Sequence, residues 1–289
     1  MTTFITGGAS QTGLALARLL HQAGHPVLFG SRVGRNIPSS TAWTPFDWDK
    51  PSTFPNAFTF PDLPEIASVY LVVNPGANPL PEVAPFIDLA IEKGVKRFVL
   101  LGAADVPKGI EMGRVHEYLE EKGVDFVTLR PTWFIDNLAR TQLENICDRN
   151  EIATPVPTGR VAFVAVEDIA QVAFDAITYP GPTPKDEGHT APIILGPNLL
   201  TYNELAEILT EVLGRPINHR TITVDELLAQ YESFGVQPDS DSAKYLVGLE
   251  LGLEKGDAEA LWHLEEGRKR IGKLMAREWI ERNKAIWSK

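Results

Sequence analysis

The turn Gly7-Gly8-Ala9-Ser10-Gln11-Thr12-Gly13 constrains this chain more than any other feature. It falls between a β-prone run, Thr2 to Thr6, and a helical pattern of Leu14, Leu16, Ala17, Leu19 and Leu20. Strand, glycine turn and helix in that order open a βαβ dinucleotide-binding unit. Gly7 allows the tight turn, small residues let the backbone approach a pyrophosphate, and Gly13 lets helix and strand pack closely. The helix N-terminus adds unsatisfied N–H groups and the positive end of its dipole. Ser10 stands where a middle glycine is more usual, and no Gly-Lys-Ser/Thr follows, so the turn is not a Walker P-loop. Gly7, Gly8, Ser10, Gln11, Thr12 and Gly13 are the expected pyrophosphate contacts.

The end of the second strand chooses the dinucleotide. A carboxylate there would bind a ribose 2′-hydroxyl, whereas an arginine accommodates a 2′-phosphate. Val27-Leu28-Phe29 runs into Gly30-Ser31-Arg32, with Arg35 close behind. No Asp or Glu precedes Asp47, so residues 1–46 carry +3 in a chain whose net charge is −11, and the remainder carries −14. A locally basic segment in an acidic chain points to an anionic ligand held there. Ser31, Arg32 and Arg35 are expected to hold the 2′-phosphate of NADP(H).

Apolar runs at Val69 to Val73, Phe98 to Leu101 and Phe126 to Leu129 read as buried strands. Val83 to Lys93, ending at Gly94, and Met112 to Lys122, ending at Gly123, read as helices. Trp43 to Trp48 is a candidate third strand, and the proline-rich stretch after it (Pro51, Pro55, Pro61, Pro64) reads as loop with little helix. Strand and helix alternate through a helix at Leu138 to Cys147, which predicts an α/β Rossmann-type, doubly wound parallel sheet. Beyond it, Val161 to Val164 and Ile193 to Leu195 read as short strands. Glu167 to Thr178 and Tyr202 to Leu213 read as helices, and nearly everything from Val224 onward reads as helix. The expected division is an NADP-binding domain over 1–150, with 160–180 packing back on it, and a smaller, mainly helical substrate domain over 181–289.

Other function classes fall away on composition. The net charge of −11 argues against a nucleic-acid partner. Cys147 is the only cysteine, so neither an intramolecular disulfide nor a cysteine metal site is expected, and no metal is. No apolar run reaches the roughly 18 to 20 residues that span a membrane. Met1-Thr2-Thr3 leads straight into the first strand with no basic leader, which makes the cytosol the expected location. Oligomeric state is left open.

Several segments together resemble the NmrA-like, atypical short-chain dehydrogenase/reductase family. They are the glycine turn, Ser31-Arg32, Arg97 to Leu101, Leu129-Arg130-Pro131-Thr132-Trp133-Phe134-Ile135-Asp136-Asn137 and Val164-Ala165-Val166-Glu167-Asp168-Ile169-Ala170. Leu195-Gly196-Pro197, Leu213 to Ile217 and Trp279 to Trp287 extend the likeness over essentially the whole chain. Gly7-Gly8, Thr12, Phe46-Asp47-Trp48, Val115-His116 and Arg130 to Phe134 bring it nearest the fungal ergot-alkaloid branch, the festuclavine and agroclavine dehydrogenases. The resemblance implies a Rossmann fold, NADP(H), and reduction of a cyclic iminium on an indole-alkaloid intermediate. Ligands of open α/β sheets bind at the carboxyl ends of strands. That rule sets Asn74, Pro75, Gly102, Ala103 and Thr132 near the nicotinamide, and Trp133 and Phe134 against substrate.

Ordinary short-chain reductases pass a proton through a Ser with a Tyr-x-x-x-Lys pair. Tyr118 and Lys122 have that spacing but sit at the wrong end of their helix, directly before Gly123. The family's usual lysine falls near Gly113, and Gly102-Ala103 replaces the serine. A ketone needs a proton donor for its developing alkoxide, whereas hydride alone neutralises an iminium, which needs instead a carboxylate or aromatic faces. Asp105 is the first candidate for that carboxylate, followed by Glu111 and by His116 as a proton carrier; His116 also reads as a packed helix residue. Asp168 reads as a capping or tethering residue. Two other functions fit the same residues: a cyclase promoting Pictet–Spengler-type closure through an iminium, and a non-catalytic NADP-binding redox sensor.

Overall fold

A computed structural model describes every residue of the chain except Asp62, 75–77, Asp105, Pro107 and Lys289. In order, the first elements are β1 (Thr2–Ile5), α1 (Gln11–Gln22), β2 (Val27–Ser31), β3 (Ala42–Pro45), β4 (Ile66–Leu71), α2 (Leu80–Glu92), β5 (Arg97–Leu101), α3 (Glu111–Glu121) and β6 (Asp125–Pro131). Then come β7 (Glu151–Thr154), β8 (Val161–Ala162), α4 (Val166–Thr178), α5 (Glu187–Thr190), β9 (Ile193–Leu195), β10 (Leu199–Leu200), α6 (Tyr202–Leu213) and β11 (Asn218–Thr221). The chain ends with α7 (Val224–Ser233), α8 (Asp241–Glu254), α9 (Asp257–Trp262), β12 (Lys269–Ile271) and α10 (Ala276–Asn283).

The chain forms two compact units, 1–130 with 169–192 and 131–168 with 193–289. In the first unit the strands lie in the order β3-β2-β1-β4-β5-β6, all parallel, as expected for a doubly wound Rossmann sheet. Phe4 is in register with Leu28 on one side and Val69 on the other, and Val69 with Phe98. These apolar runs are buried on both faces, which is why they lack alternation. One side packs an aromatic cluster of Phe4, Phe46, Trp48, Phe54 and Phe86 with ring centroids 4.8–5.9 Å apart. Gly30 is fixed by that cluster, since a Cβ there would lie 2.6 Å from Phe4 and 2.9 Å from Phe46.

The second unit has its own core, built on Ile135, Leu138, Ile146, Ile152, Phe163, Leu205, Leu209, Trp279, Ile280 and Trp287. Within it β7 pairs with β11 and β9 with β12 in parallel, while β8 pairs with β10 antiparallel.

Four details differ from the sequence expectations. The division falls at 130/131 instead of 150, because Ile135, Leu138 and Ile146 pack into the second core. Pro51–Phe58 is a 3₁₀ helix with prolines at its start and at Pro55, not loop. The expected helix from Leu138 to Cys147 is instead a 3₁₀ turn (Ile135–Ala139) and a π turn (Asn145–Arg149). The stretch after Val224 is interrupted by β12, a three-residue strand too short and too charged to read.

Candidate functional site

The glycine turn closes the C-terminal end of β1 against that of β4, where the strand order reverses. Thr6 Oγ1 accepts the Val72 N–H at 2.8 Å and is 3.0 Å from the Val72 carbonyl. Gly7 (φ +79°) and Gly8 (φ +57°) both occupy the left-handed region. A Cβ on Gly7 would lie 2.7 Å from Val72 Cβ, and one on Gly13 would lie 2.7 Å from Ser10 Oγ and 3.0 Å from Ile5. The backbone itself therefore lines the turn. Ser10 explains its place in the motif: it is the N-cap of α1, its Oγ accepting the Gly13 N–H at 3.2 Å. No acidic residue stands in the first turn of α1, so its positive end is uncompensated. Thr12 is buried beside Tyr70, and neither hydroxyl meets a partner at full hydrogen-bond geometry. Gln11 is half-buried at the first helical position.

The second strand leads to the basic loop. Gly8 N–H donates to the Gly30 carbonyl at 2.9 Å, joining the glycine turn to β2. Ser31 is buried, and its Oγ accepts the Gly34 N–H at 3.0 Å, curling the chain so that Arg32 and Arg35 stay exposed. Neither arginine makes an ion pair among the described residues. Gly34 (φ +66°) lies on the ring of Trp43, where a Cβ would come within 2.5 Å of Cε2. A backbone-lined turn at a bare helix N-terminus with two unpaired guanidinium groups beside it fits a dinucleotide bearing an extra phosphate.

At the other strand ends, Asn74 is exposed after β4, and Pro75 lies outside the described residues. Gly102 and Ala103 follow β5, half-buried, with Gly102 close under the Leu129 carbonyl and Thr128. Thr132 belongs to the second unit, where its hydroxyl is committed to the Ala162 and Ile194 carbonyls at 2.6 and 3.2 Å. Its one proton is therefore committed within the second unit, which leaves only its oxygen to accept a further hydrogen bond. Trp133 and Phe134 are half-buried in the same unit; Trp133 packs on the core and its carbonyl accepts the Val164 N–H.

The acid–base candidates separate. Asp105 lies outside the described residues. Glu111 opens α3 with φ +44°, a strained value for a non-glycine residue. His116 is buried between α3 and β6, sharing a proton between Nδ1 and Thr128 Oγ1 at 2.9 Å and meeting Phe126 edge to face at 5.1 Å. Burial, with the nearby Lys108 and Arg130 charges, lowers its pKa. His116 is thus tied to the sheet, which favours the packed reading of this residue over the proton-carrier one. Tyr118 donates to Asp88 at 2.8 Å and Lys122 pairs with Asp88 at 2.6 Å, so this Tyr and Lys join α3 to α2. Asp168 accepts the Lys273 and Leu274 N–H groups at 2.9 and 3.1 Å, a tether within the second unit.

Two carboxyls escaped the sequence reading. Asp136 accepts the Val166 N–H at 3.0 Å, and burial pushes its pKa up to about 6. Glu250 on α8 is buried, which pushes it up to about 7. Asp136 sits inside a quoted motif and could have been singled out. Glu250 stands in Leu249-Glu250-Leu251-Gly252-Leu253-Glu254, where nothing distinguishes a buried glutamate from a solvated one.

Comparison with known proteins gives one consistent direction. No family model matches the chain. It is 39% identical over 268 residues to an agroclavine dehydrogenase of Claviceps fusiformis, with 90% of each chain covered. It is 40% identical over 271 residues to festuclavine synthase II of Penicillium roqueforti, covering 90% of this chain and 91% of that one. Against a festuclavine dehydrogenase of Aspergillus fumigatus the identity is 33% over 302 residues and 99% of each chain. In fold, it resembles a Staphylococcus aureus nucleoside-diphosphate-sugar epimerase (TM-score 0.73, 17% identity, 97% and 100% covered). A Citrobacter triphenylmethane reductase solved with NADP(H) is also similar (TM-score 0.68, 20% identity, 89% and 91% covered).

Proposed function

The chain belongs to the agroclavine and festuclavine dehydrogenase family of oxidoreductases, and from that premise we propose that it reduces an iminium or imine intermediate of indole-alkaloid metabolism with NADPH. NADPH supplies the hydride when bound. Gly7, Gly8, Ser10, Gln11, Thr12 and Gly13 would hold its pyrophosphate, and Ser31, Arg32 and Arg35 its 2′-phosphate. Asn74, Gly102 and Ala103 would border its nicotinamide, with Trp133, Phe134 and the second unit serving the substrate.

The observation that carries this reading is the fate of the Tyr and Lys at the expected spacing. Their polar atoms are taken by Asp88, while Gly113 and Gly102-Ala103 bring no side chain that passes a proton. Among the described residues these positions offer a reduced carbonyl no donor for its alkoxide; an iminium requires none. The test is incubation with NADPH deuterated at C4 and a panel of indole iminium substrates. Deuterium in the reduced product is the expected result. A ring-closed product without deuterium would move the function to a cyclase, and tight NADP binding without turnover to a redox sensor.

A further inference from the structure

The second unit holds a buried carboxyl group that no charge meets among the described residues. Glu250 projects from α8 into the interior, 7% exposed. Its Oε1 accepts a long hydrogen bond, 3.4 Å, from the Tyr231 hydroxyl of α7, and its Oε2 is buried without a partner among the described residues. The groups that act on it electrostatically from neighbouring elements are Tyr231 and Tyr202, the latter at the start of α6. Tyr202 is stacked 5.5 Å from His219 of β11, whose Nε2 bonds to Thr154 Oγ1 at 2.9 Å. Burial lowers the His219 pKa and raises those of both tyrosines, so all three are neutral near pH 7. A buried carboxyl oxygen without a donor is costly, and such atoms call for an explanation such as a ligand.

We propose that Glu250, with Tyr231 and Tyr202, forms a recognition site for an organic cation, a protonated amine or an iminium, inside the second unit. The unpaired Oε2 takes the N–H or the positive charge of the ligand. The Tyr231 ring, and the face of Tyr202 turned away from His219, favour a cation once it leaves water. The way in is past α7, which buries only Leu227, while α8 is held at its C-terminal end by Glu254, which accepts the Thr158 and Gly159 N–H groups at 2.9 and 2.8 Å. A helix with so few buried apolar contacts as α7 opens at low cost. The physiological ligand rests on the proposed iminium chemistry, but the site itself does not.

The test is calorimetric titration of the full-length, NADP-loaded protein at pH 8 with tryptamine, which is cationic, and with 3-ethylindole, its neutral counterpart. Wild-type protein is expected to bind tryptamine about 10-fold more tightly than 3-ethylindole. Glu250→Gln should erase that preference and keep 3-ethylindole binding. Equal affinities in the wild type, or a preference surviving in Glu250→Gln, would overturn the site. Should Glu250→Gln fail to fold, Tyr231→Phe serves: losing the hydrogen bond to the carboxyl should move the midpoint of tryptamine affinity against pH upward. An unmoved midpoint overturns the site equally. Because the readout is binding, cation recognition without turnover would sink only the reductase reading.

Discussion

At the scale of single residues, the decisive contact in the proposed dinucleotide site is one that no charged group makes. Arg32 and Arg35 are placed by Gly34, whose positive φ and position on Trp43 leave no room for a Cβ. Its N–H is also the donor that Ser31 Oγ accepts. Gly34→Ala therefore strains the turn and displaces both guanidinium groups without touching the glycine turn at β1. The expected outcome is a KM for NADPH about 10-fold higher, with the value for NADH changed less than about twofold, since only the former uses the 2′-phosphate. Arg32→Ala should reproduce that split. Steady-state kinetics with both cofactors decides the matter, and equal losses for the two would remove the 2′-phosphate from this loop.

At the scale of elements, Arg97 shows how the first unit closes around its sheet. The guanidinium is buried and pairs with Asp125 of β6 at 2.6 Å. It also donates to the carbonyls of Ala176 and Tyr179, at 2.9 and 2.8 Å, and of Gly181, satisfying the C-terminus of α4. Arg97→Met keeps the stem and strands the Asp125 carboxylate with several carbonyls, so stability should fall by about 3 to 5 kcal/mol. Urea denaturation would register this as a lower midpoint; a loss below about 1 kcal/mol would mean that water replaces the arginine. The same elements show what the sequence could disclose. β1, β2, β4, β5 and β6 were legible because strands buried on both faces need uninterrupted apolar residues. β11 (Asn218-His219-Arg220-Thr221) and β12 (Lys269-Arg270-Ile271) were not, since short strands with few apolar side chains leave no periodicity. The glycine turn was legible as a site because backbone approach demands glycine. The surroundings of His116 and Thr132 were not legible, because a side chain's type does not disclose that its proton is committed nearby.

At the scale of the whole molecule, the two units carry buried acids of opposite sign in their response to pH. In the first, burial pulls Asp125 upward, but hydrogen bonds from Thr183 and Arg97 outweigh it and leave its pKa lowered. Its contribution is present above the unfolded carboxylate pKa and is lost as pH falls below about 4. In the second, burial raises Asp136 to about 6 and Glu250 to about 7. A raised carboxyl stays protonated in the folded state after the unfolded one has ionised, so that stability is fully present below the unfolded carboxylate pKa near 4 and is lost progressively as pH climbs from there through the folded values of about 6 and 7. Each such carboxyl is worth at most about 3 kcal/mol across that window, and relaxation of the core reduces the figure. Between pH 8 and pH 5.5, then, the second unit should gain protection, partly offset by His219, while the first, whose buried His116 disfavours protonation, should gain none. Hydrogen exchange, corrected for its intrinsic pH dependence, reads this directly from amides of β7, β11 and α6 against those of β4 and β5. Glu250→Gln should flatten much of the second unit's response, because an amide cannot titrate. Equal responses in the two units, or greater protection of the second at pH 8, would mean that both buried acids stay ionised and that a cation outside their described surroundings already compensates them.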